Sequence, residues 1–161
     1  FVGDLNRAEK GVRMHTDQFH PEGPDNLLIT SVDAALAGQN TLLAAESLGY
    51  GGVIIGLVRY EAAEVAKLFN LPDYTYPVFG MALGVPNQNH PVKPRLPLEA
   101  VVFEESYQEQ TPEVIEAFDR VQTAYAGARA TDTWSQRLAA QFGQEEPAAT
   151  AELLKKHQLE K

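Results

Sequence analysis

A chain of 161 residues, 44% apolar and 22% charged, fits one globular domain long enough to bury a core. Thirteen Lys and Arg stand against twenty-two Asp and Glu, a formal net charge of −9, which argues against the broad basic face of a nucleic-acid binder and against docking on anionic membranes. There is no cysteine, which excludes disulfides and thiolate chemistry; with no secretory leader and no apolar run of bilayer-spanning length, the expected compartment is the cytoplasm.

Phe1 rather than Met stands first, and Phe1 to Leu5 alternates like the tail of a strand, so the expectation is a piece of a longer chain. Residues 6–24 are polar and carry Gly11, Pro21, Gly23 and Pro24; they read as a loop with room for one short helix. A long helix follows from Pro24 or Asp25 to Leu48. Pro suits its first turn, and Gly49 suits the left-handed position after its end. Its expected interior is Leu28, Val32, Ala35, Leu36, Leu42, Leu43 and Leu48, and its many Ala and Gly residues would let another element approach closely. Asp33, Gln39, Asn40 and Glu46 argue against a membrane helix.

Gly51 to Val58 is a β-branched run between glycines and predicts a buried strand. A short helix is expected over 61–69. Tyr76 to Leu83 predicts a second buried strand, closed by Gly84 and Pro86. A Pro-rich loop over 86–97 leads to a possible short strand at Ala100–Phe103. Thr111-Pro112-Glu113 opens a helix striped with Val114, Phe118, Val121 and Tyr125. Another helix is expected to open at Thr131 or Asp132, with Trp134, Leu138 and Phe142 on its face. Pro147 is expected to open a last helix carrying Leu153 and Leu154, with Leu159 near its frayed end. The pattern predicts the α+β class, as one domain over residues 1–161 with a helical extension over 108–161.

The chemistry-bearing signal is Lys93-Pro94-Arg95. No Asp or Glu occurs from Tyr74 through Leu98 in this acidic chain, and that window holds His90, Lys93 and Arg95. On an extended segment Lys93 and Arg95 point to one side, and Pro94 holds the segment extended. Lys supplies a point charge and Arg a planar fork, a pair suited to an anion. A solvated pair of surface cations has the same spacing, and short charge motifs match by accident.

Other motifs carry less. Gly49-Tyr50-Gly51-Gly52 lacks the third glycine of a dinucleotide fingerprint and precedes a strand instead of following one; a turn explains it. His15, His20, His90 and His157 have no metal-ligand spacing and no Cys beside them, so no metal site is expected. Ser31, Ser47, Ser106 and Ser135 lack a nucleophile-elbow context, and Glu104-Glu105 diverge on an extended chain. No catalytic side-chain set is evident. An enzyme of this profile needs a cofactor to carry its chemistry, and an anion clamp with apolar walls suits a phosphorylated planar one.

An ordered set of residues carries a resemblance. Asp33-Ala34-x-x-Ala37-x-Gln39-Asn40 leads into Ala44-Ala45-Glu46-Ser47-Leu48-Gly49. Then come Ile55-Gly56 with Arg59, Pro77-Val78-Phe79-Gly80, Lys93-Pro94-Arg95-Leu96-Pro97, Glu104, Ser106-Tyr107 and Asp132-Thr133-Trp134-Ser135. Together they resemble the oxygen-insensitive NADPH nitroreductases and NAD(P)H–flavin reductases, in the group with a C-terminal helical extension. The resemblance implies a nitroreductase-like fold with a central mixed sheet flanked by helices. It also implies a homodimer with FMN at the subunit interface, and NAD(P)H as cosubstrate in a ping-pong reduction of nitroaromatics, quinones or flavins. By the same resemblance Lys93 and Arg95 bind the FMN phosphate, and Ile54, Ile55, Gly56 and Leu57 present backbone groups to the isoalloxazine ring. Arg129 is the candidate for the 2′-phosphate of NADPH.

Three departures from the pattern stand out. The family's N-terminal His-Arg-Ser-x-Arg motif is not in this sequence. Leu57 stands where many members have Gly, and a positive φ there would strain it. The loop between Tyr125 and Trp134 is short and less basic. A flavin-binding or interaction protein without turnover is therefore the alternative reading.

Overall fold

Pro24 and Gly49 bracket the longest element as their chemistry requires. The computed structural model describes residues 1–144 and 149–160. By contact density the chain divides into two units, Phe1–Gln88 with Pro147–Lys161, and Asn89–Glu146.

In the first unit, strand β1 (Val2–Asp4) is followed by helices α1 (Asn6–Arg13) and α2 (Pro24–Ser47), strand β2 (Gly51–Ile55), helix α3 (Ala62–Leu68), and strands β3 (Thr75–Pro77) and β4 (Gly80–Gly84). β1 pairs antiparallel with β3, Val2 opposite Pro77, and β2 pairs antiparallel with β4, Gly51 opposite Gly84. Helix α6 (Ala149–Lys156) completes this unit. The helices and antiparallel pairs make the expected α+β class.

Three helices here end on the same device. After α2, α3 and α6 a residue in the left-handed region (Gly49, Asn70, Gln158) turns the chain. The next N–H then donates back into the helix: Tyr50 to Ala45, Leu71 to Ala66 and Leu159 to Leu154, at 3.0, 2.8 and 2.8 Å. The third of these corrects the expectation of a frayed end. Leu159 is fully buried and joins Ala62, Ala66, Tyr76 and Leu153 in the core. His157 is buried beside it, its Nδ1 2.8 Å from the carbonyl oxygen of Thr75. Pro147, the expected opening of this last helix, lies outside the described residues.

α2 buries the opposite of what its leucines suggest. Its buried residues are Thr30, Ala34, Gly38 and Ala45. Leu28, Ile29, Val32, Leu36 and Leu43 are exposed. At 100° per residue these five share one stripe about 100° wide, and the buried set shares the face across from it. The small residues lie inside because Phe79 and β1 press against them. By length and composition α2 is also long and apolar enough to cross a bilayer, which corrects the expectation that no segment is.

Two strands differ from expectation. Gly51 to Val58 is not one buried strand: β2 stops at Ile55, a 3₁₀ turn runs over Gly56–Glu61, and Val53 and Ile54 are exposed. Tyr76 to Leu83 breaks at Val78-Phe79, because the segment serves two ladders, β3 against β1 and β4 against β2. Phe79 at the break is buried and stacks on Phe1 with centroids 4.8 Å apart.

The second unit holds α4 (Pro112–Ala126) and α5 (Trp134–Phe142). The expected strand at Ala100–Phe103 is instead a 3₁₀ turn over Leu98–Ala100. α5 opens at Thr133, not at Thr131 or Asp132. The reason is a reciprocal cap: Gln136 N–H donates to Thr133 Oγ1 at 3.2 Å, and Thr133 N–H donates to Gln136 Oε1 at 2.8 Å.

Candidate functional site

A cavity of about 520 Å³ in the second unit collects the cations. Lys93 and Arg95 line it, and so does Arg129. Arg137, which the sequence did not single out, is the fourth. Among the described residues Asp132 is the one carboxylate on the wall. Among the described residues none of the four cations is in an ion pair; the ion pairs present are Arg7–Asp4 and Arg13–Glu9. Four like charges facing one space repel each other, and an anion placed among them relieves that cost.

The walls are built from α4 and α5. Phe118 is buried and meets Trp134 edge-on with centroids 5.1 Å apart. Asp119 fastens the two helices: its carboxylate accepts from the backbone N–H of Ser135 at 2.9 Å and from the Ser135 hydroxyl. These hydrogen bonds, led by that hydroxyl, hold the Asp119 carboxyl below the usual carboxylate range. The same link holds the first turn of α5, next to Trp134, against α4, and from that turn Arg137 Nη1 donates to the carbonyl oxygen of Asp132 at 3.3 Å. The Arg129 guanidinium lies 6.0 Å from the centroid of the Tyr125 ring, at the outer reach of a cation–π contact.

The cationic loop is hung on α4. Buried Gln122 donates from Nε2 to the carbonyl oxygen of Pro94 at 2.9 Å, and the Tyr125 hydroxyl donates to that of Pro91 at 3.1 Å. Residues 122 and 125 are one helical turn apart and face the same way. Arg95 folds its Nη1 back to the carbonyl of Lys93 at 3.1 Å. The sequence named the loop cations but missed the two residues that hold them, because a helix-to-loop hydrogen bond leaves no local pattern.

Ile54, Ile55, Gly56 and Leu57 lie in the first unit, at the junction of β2 with its 3₁₀ turn. β2 has a single partner, β4, so its other edge offers unpaired backbone groups. The Arg59 guanidinium reaches back to Gly56, within 3.3 Å of where a Cβ would stand, and its Nη1 donates to the carbonyl of Val78 at 2.8 Å. The expected strain at Leu57 is not found. Positive φ at non-glycine residues occurs among the described residues at Asn70, Tyr74, Glu105 and Gln158. No cluster of three metal-ligating side chains occurs among the described residues.

The comparisons agree on one family. The Nitroreductase family profile matches residues 11–85, and that of the Nitroreductase family, C-terminal domain, matches residues 93–161. NADPH-flavin oxidoreductase of Vibrio harveyi is 47% identical over 115 residues, covering 69% of this chain and 48% of its own length. The crystal structure of nitroreductase A from Vibrio parahaemolyticus superposes with a TM-score of 0.88 at 38% identity, over 99% of this chain and 65% of that one. A hypothetical oxidoreductase from Bacillus subtilis does so with a TM-score of 0.89 at 33% identity, over 99% and 68%. The chain spans about half to three-fifths of the length of the curated relatives it matches, 48% of one and 59% of another. With both family profiles matched and solved structures of the family superposing on it, the chain belongs to the nitroreductase family.

Proposed function

We propose that this chain serves an FMN-dependent NAD(P)H oxidoreductase that reduces small acceptors such as nitroaromatics, quinones or flavins by a ping-pong mechanism. The observation that carries the reading is the group of four cations, Lys93, Arg95, Arg129 and Arg137, around one cavity of an acidic chain and without ion-pair partners among the described residues. Relatives named NADPH-flavin oxidoreductase, oxygen-insensitive NADPH nitroreductase and FMN reductase support it.

The donor set fits a phosphate monoester. Lys93 and Arg95 supply a point charge and a fork for the FMN phosphate, and Arg129 supplies a second fork for the 2′-phosphate of NADPH. The residues Ile54, Ile55, Gly56 and Leu57 offer backbone groups to the flavin ring, and the exposed Ile54 side chain gives an apolar surface that would exclude water from it. FMN, when bound, supplies the hydride-accepting ring; the protein binds, orients and shields. The exposed leucine stripe on α2 favours a homodimer, since a stripe of five large apolar side chains on one helix is characteristic of an interface.

A yellow protein that bleaches with NADPH under argon is the expected result. A yellow protein that does not bleach is a flavin binder without turnover, and a colourless one defeats the reading. Arg95→Ala should weaken FMN binding about 10- to 100-fold, the equivalent of one charge-assisted contact.

A further inference from the structure

We propose that Gln122 is a positioning residue for the phosphate clamp: it sets where Lys93 and Arg95 stand by holding the carbonyl of Pro94 between them. The inference rests on the assignment of those two cations to a phosphate monoester.

The argument starts from what holds the loop. Residues 85–97 contain no helix or strand, and four prolines (Pro86, Pro91, Pro94, Pro97) remove donors from the stretch. Among the described residues, the side chains from outside residues 85–97 that are hydrogen-bonded to it are Gln122 and Tyr125 of α4. Gln122 is buried to 7% exposure in a unit whose other buried side chains, among the described residues, are Ala100 and Phe118. A long amide placed inside needs a partner, and its partner is the peptide carbonyl flanked on each side by a cation of the clamp. Asp119, one turn earlier on α4, fastens α5 with its Trp134 and Arg137. Three positions spaced by three residues, Asp119, Gln122 and Tyr125, thus form a polar rail. One end holds the α5 wall of the cavity and the other end holds the cationic loop.

Two cations that must meet one phosphate lose most of their advantage if the backbone between them wanders. Geometry held before binding lowers the ordering cost of binding. Removing the Gln122 donor leaves the Pro94 carbonyl only a long 3.4 Å hydrogen bond from Arg95 Nη1, itself part of the clamp, and loosens the loop without touching either cation.

The test compares FMN with riboflavin, which carries the same ring and ribityl chain but no phosphate. In the full chain, Gln122→Met keeps length and burial and removes the donor. Affinity for FMN should fall about five- to ten-fold, the worth of one buried hydrogen bond, while affinity for riboflavin stays within error. Tyr125→Phe, which removes the bond to Pro91 and keeps the ring, should show the same selective loss at smaller size and covers the case in which Gln122→Met does not fold. Equal losses for both flavins would mean a structural role only, and no loss for either would mean no role; each overturns the inference while the clamp assignment stands. If the parent bound riboflavin as tightly as FMN, the clamp assignment itself would fail, and the inference with it.

Discussion

The ring of Phe79 lies against the backbone of Gly38, so close that a methyl group at that position would overlap it. The Phe79 ring is stacked in turn on Phe1, with planes 18° apart, so it has nowhere to move. Gly38 therefore sets how near α2 comes to the β3–β4 break. Ala is the better helix former by about 1 kcal/mol, but overpacking a filled site costs about 1–3 kcal/mol and more when the neighbour is wedged. The second effect wins. Gly38→Ala is expected to lower stability by about 1–2 kcal/mol in urea unfolding, and an unchanged or higher midpoint would show that Phe79 is free to yield.

The exposed stripe of α2 gives a separate prediction. Leu36 is 60% exposed and lies in the middle of that stripe. A charge there costs little in an isolated chain, because the side chain already meets solvent. Within an interface it must be desolvated, at several kcal/mol. Leu36→Glu is expected to leave the circular dichroism spectrum and thermal midpoint of an isolated chain unchanged and to shift a dimer to monomer in sedimentation. A variant that sediments as its parent would place the interface elsewhere.

The ends of helices were legible because they are local. Pro24, Gly49 and Pro112 mark their elements by fixed φ and free φ, which act within a few residues; the hydroxyl cap expected of Thr111 is not made. Burial was not legible for the same physical reason in reverse. Leu28, Val32 and Leu36 read as interior by their chemistry, but which face of α2 turns inward depends on Phe79 and β1, distant in sequence. The Val78-Phe79 break joins a tertiary cause, the switch between two partner strands, to local punctuation that the strand expectation passed over, Pro77 before it and Gly80 after it. In the candidate site, Lys93 and Arg95 stood out by charge contrast. Arg137, Gln122 and Asp119 did not, because each is an ordinary polar residue on a helix until the loop or the next helix is set against it.

Leu159 tests the corrected C-terminus. It is fully buried, touches the Ala62–Ala66 core and closes the α6 cap. Leu159→Ala is expected to cost about 2–4 kcal/mol, the range for a buried leucine truncated in a core that relaxes only in part. A loss below about 0.5 kcal/mol, the level of an ordinary surface change, would return Leu159 to a frayed end.

Arg129 tests the proposal that one end of the cavity takes the nucleotide. Its head lies over Tyr125 and no carboxylate pairs with it among the described residues. A cation that reads a 2′-phosphate is felt by NADPH and not by NADH. Arg129→Ala is expected to raise KM for NADPH about ten-fold, one charge-assisted hydrogen bond's worth, with KM for NADH and the kcat values nearly unchanged. Equal effects on both nucleotides would assign Arg129 to something other than that phosphate.

The link between α4 and α5 has a pH dependence of definite sign. Hydrogen bonds from Ser135, its hydroxyl foremost, lower the folded-state Asp119 carboxyl below its ordinary value. A depressed carboxyl contributes stability that is complete above the unfolded value of about 3.9 and is lost as pH falls through the lower folded value. The docking of α5 should therefore hold through neutral and mildly acid solution and loosen only in strong acid. Trp134 is the one tryptophan and sits on Phe118 beside this link, so its fluorescence reports the event locally. Asp119→Asn keeps the shape but removes the charge and one acceptor. Its emission is expected to be changed already at neutral pH and to lack the acid transition of the parent. Glu113, the other carboxyl of α4 held low, by the Thr111 hydroxyl, is the control: Glu113→Gln should keep the transition. An acid transition of equal size in Asp119→Asn would show that some other group governs how α5 is held.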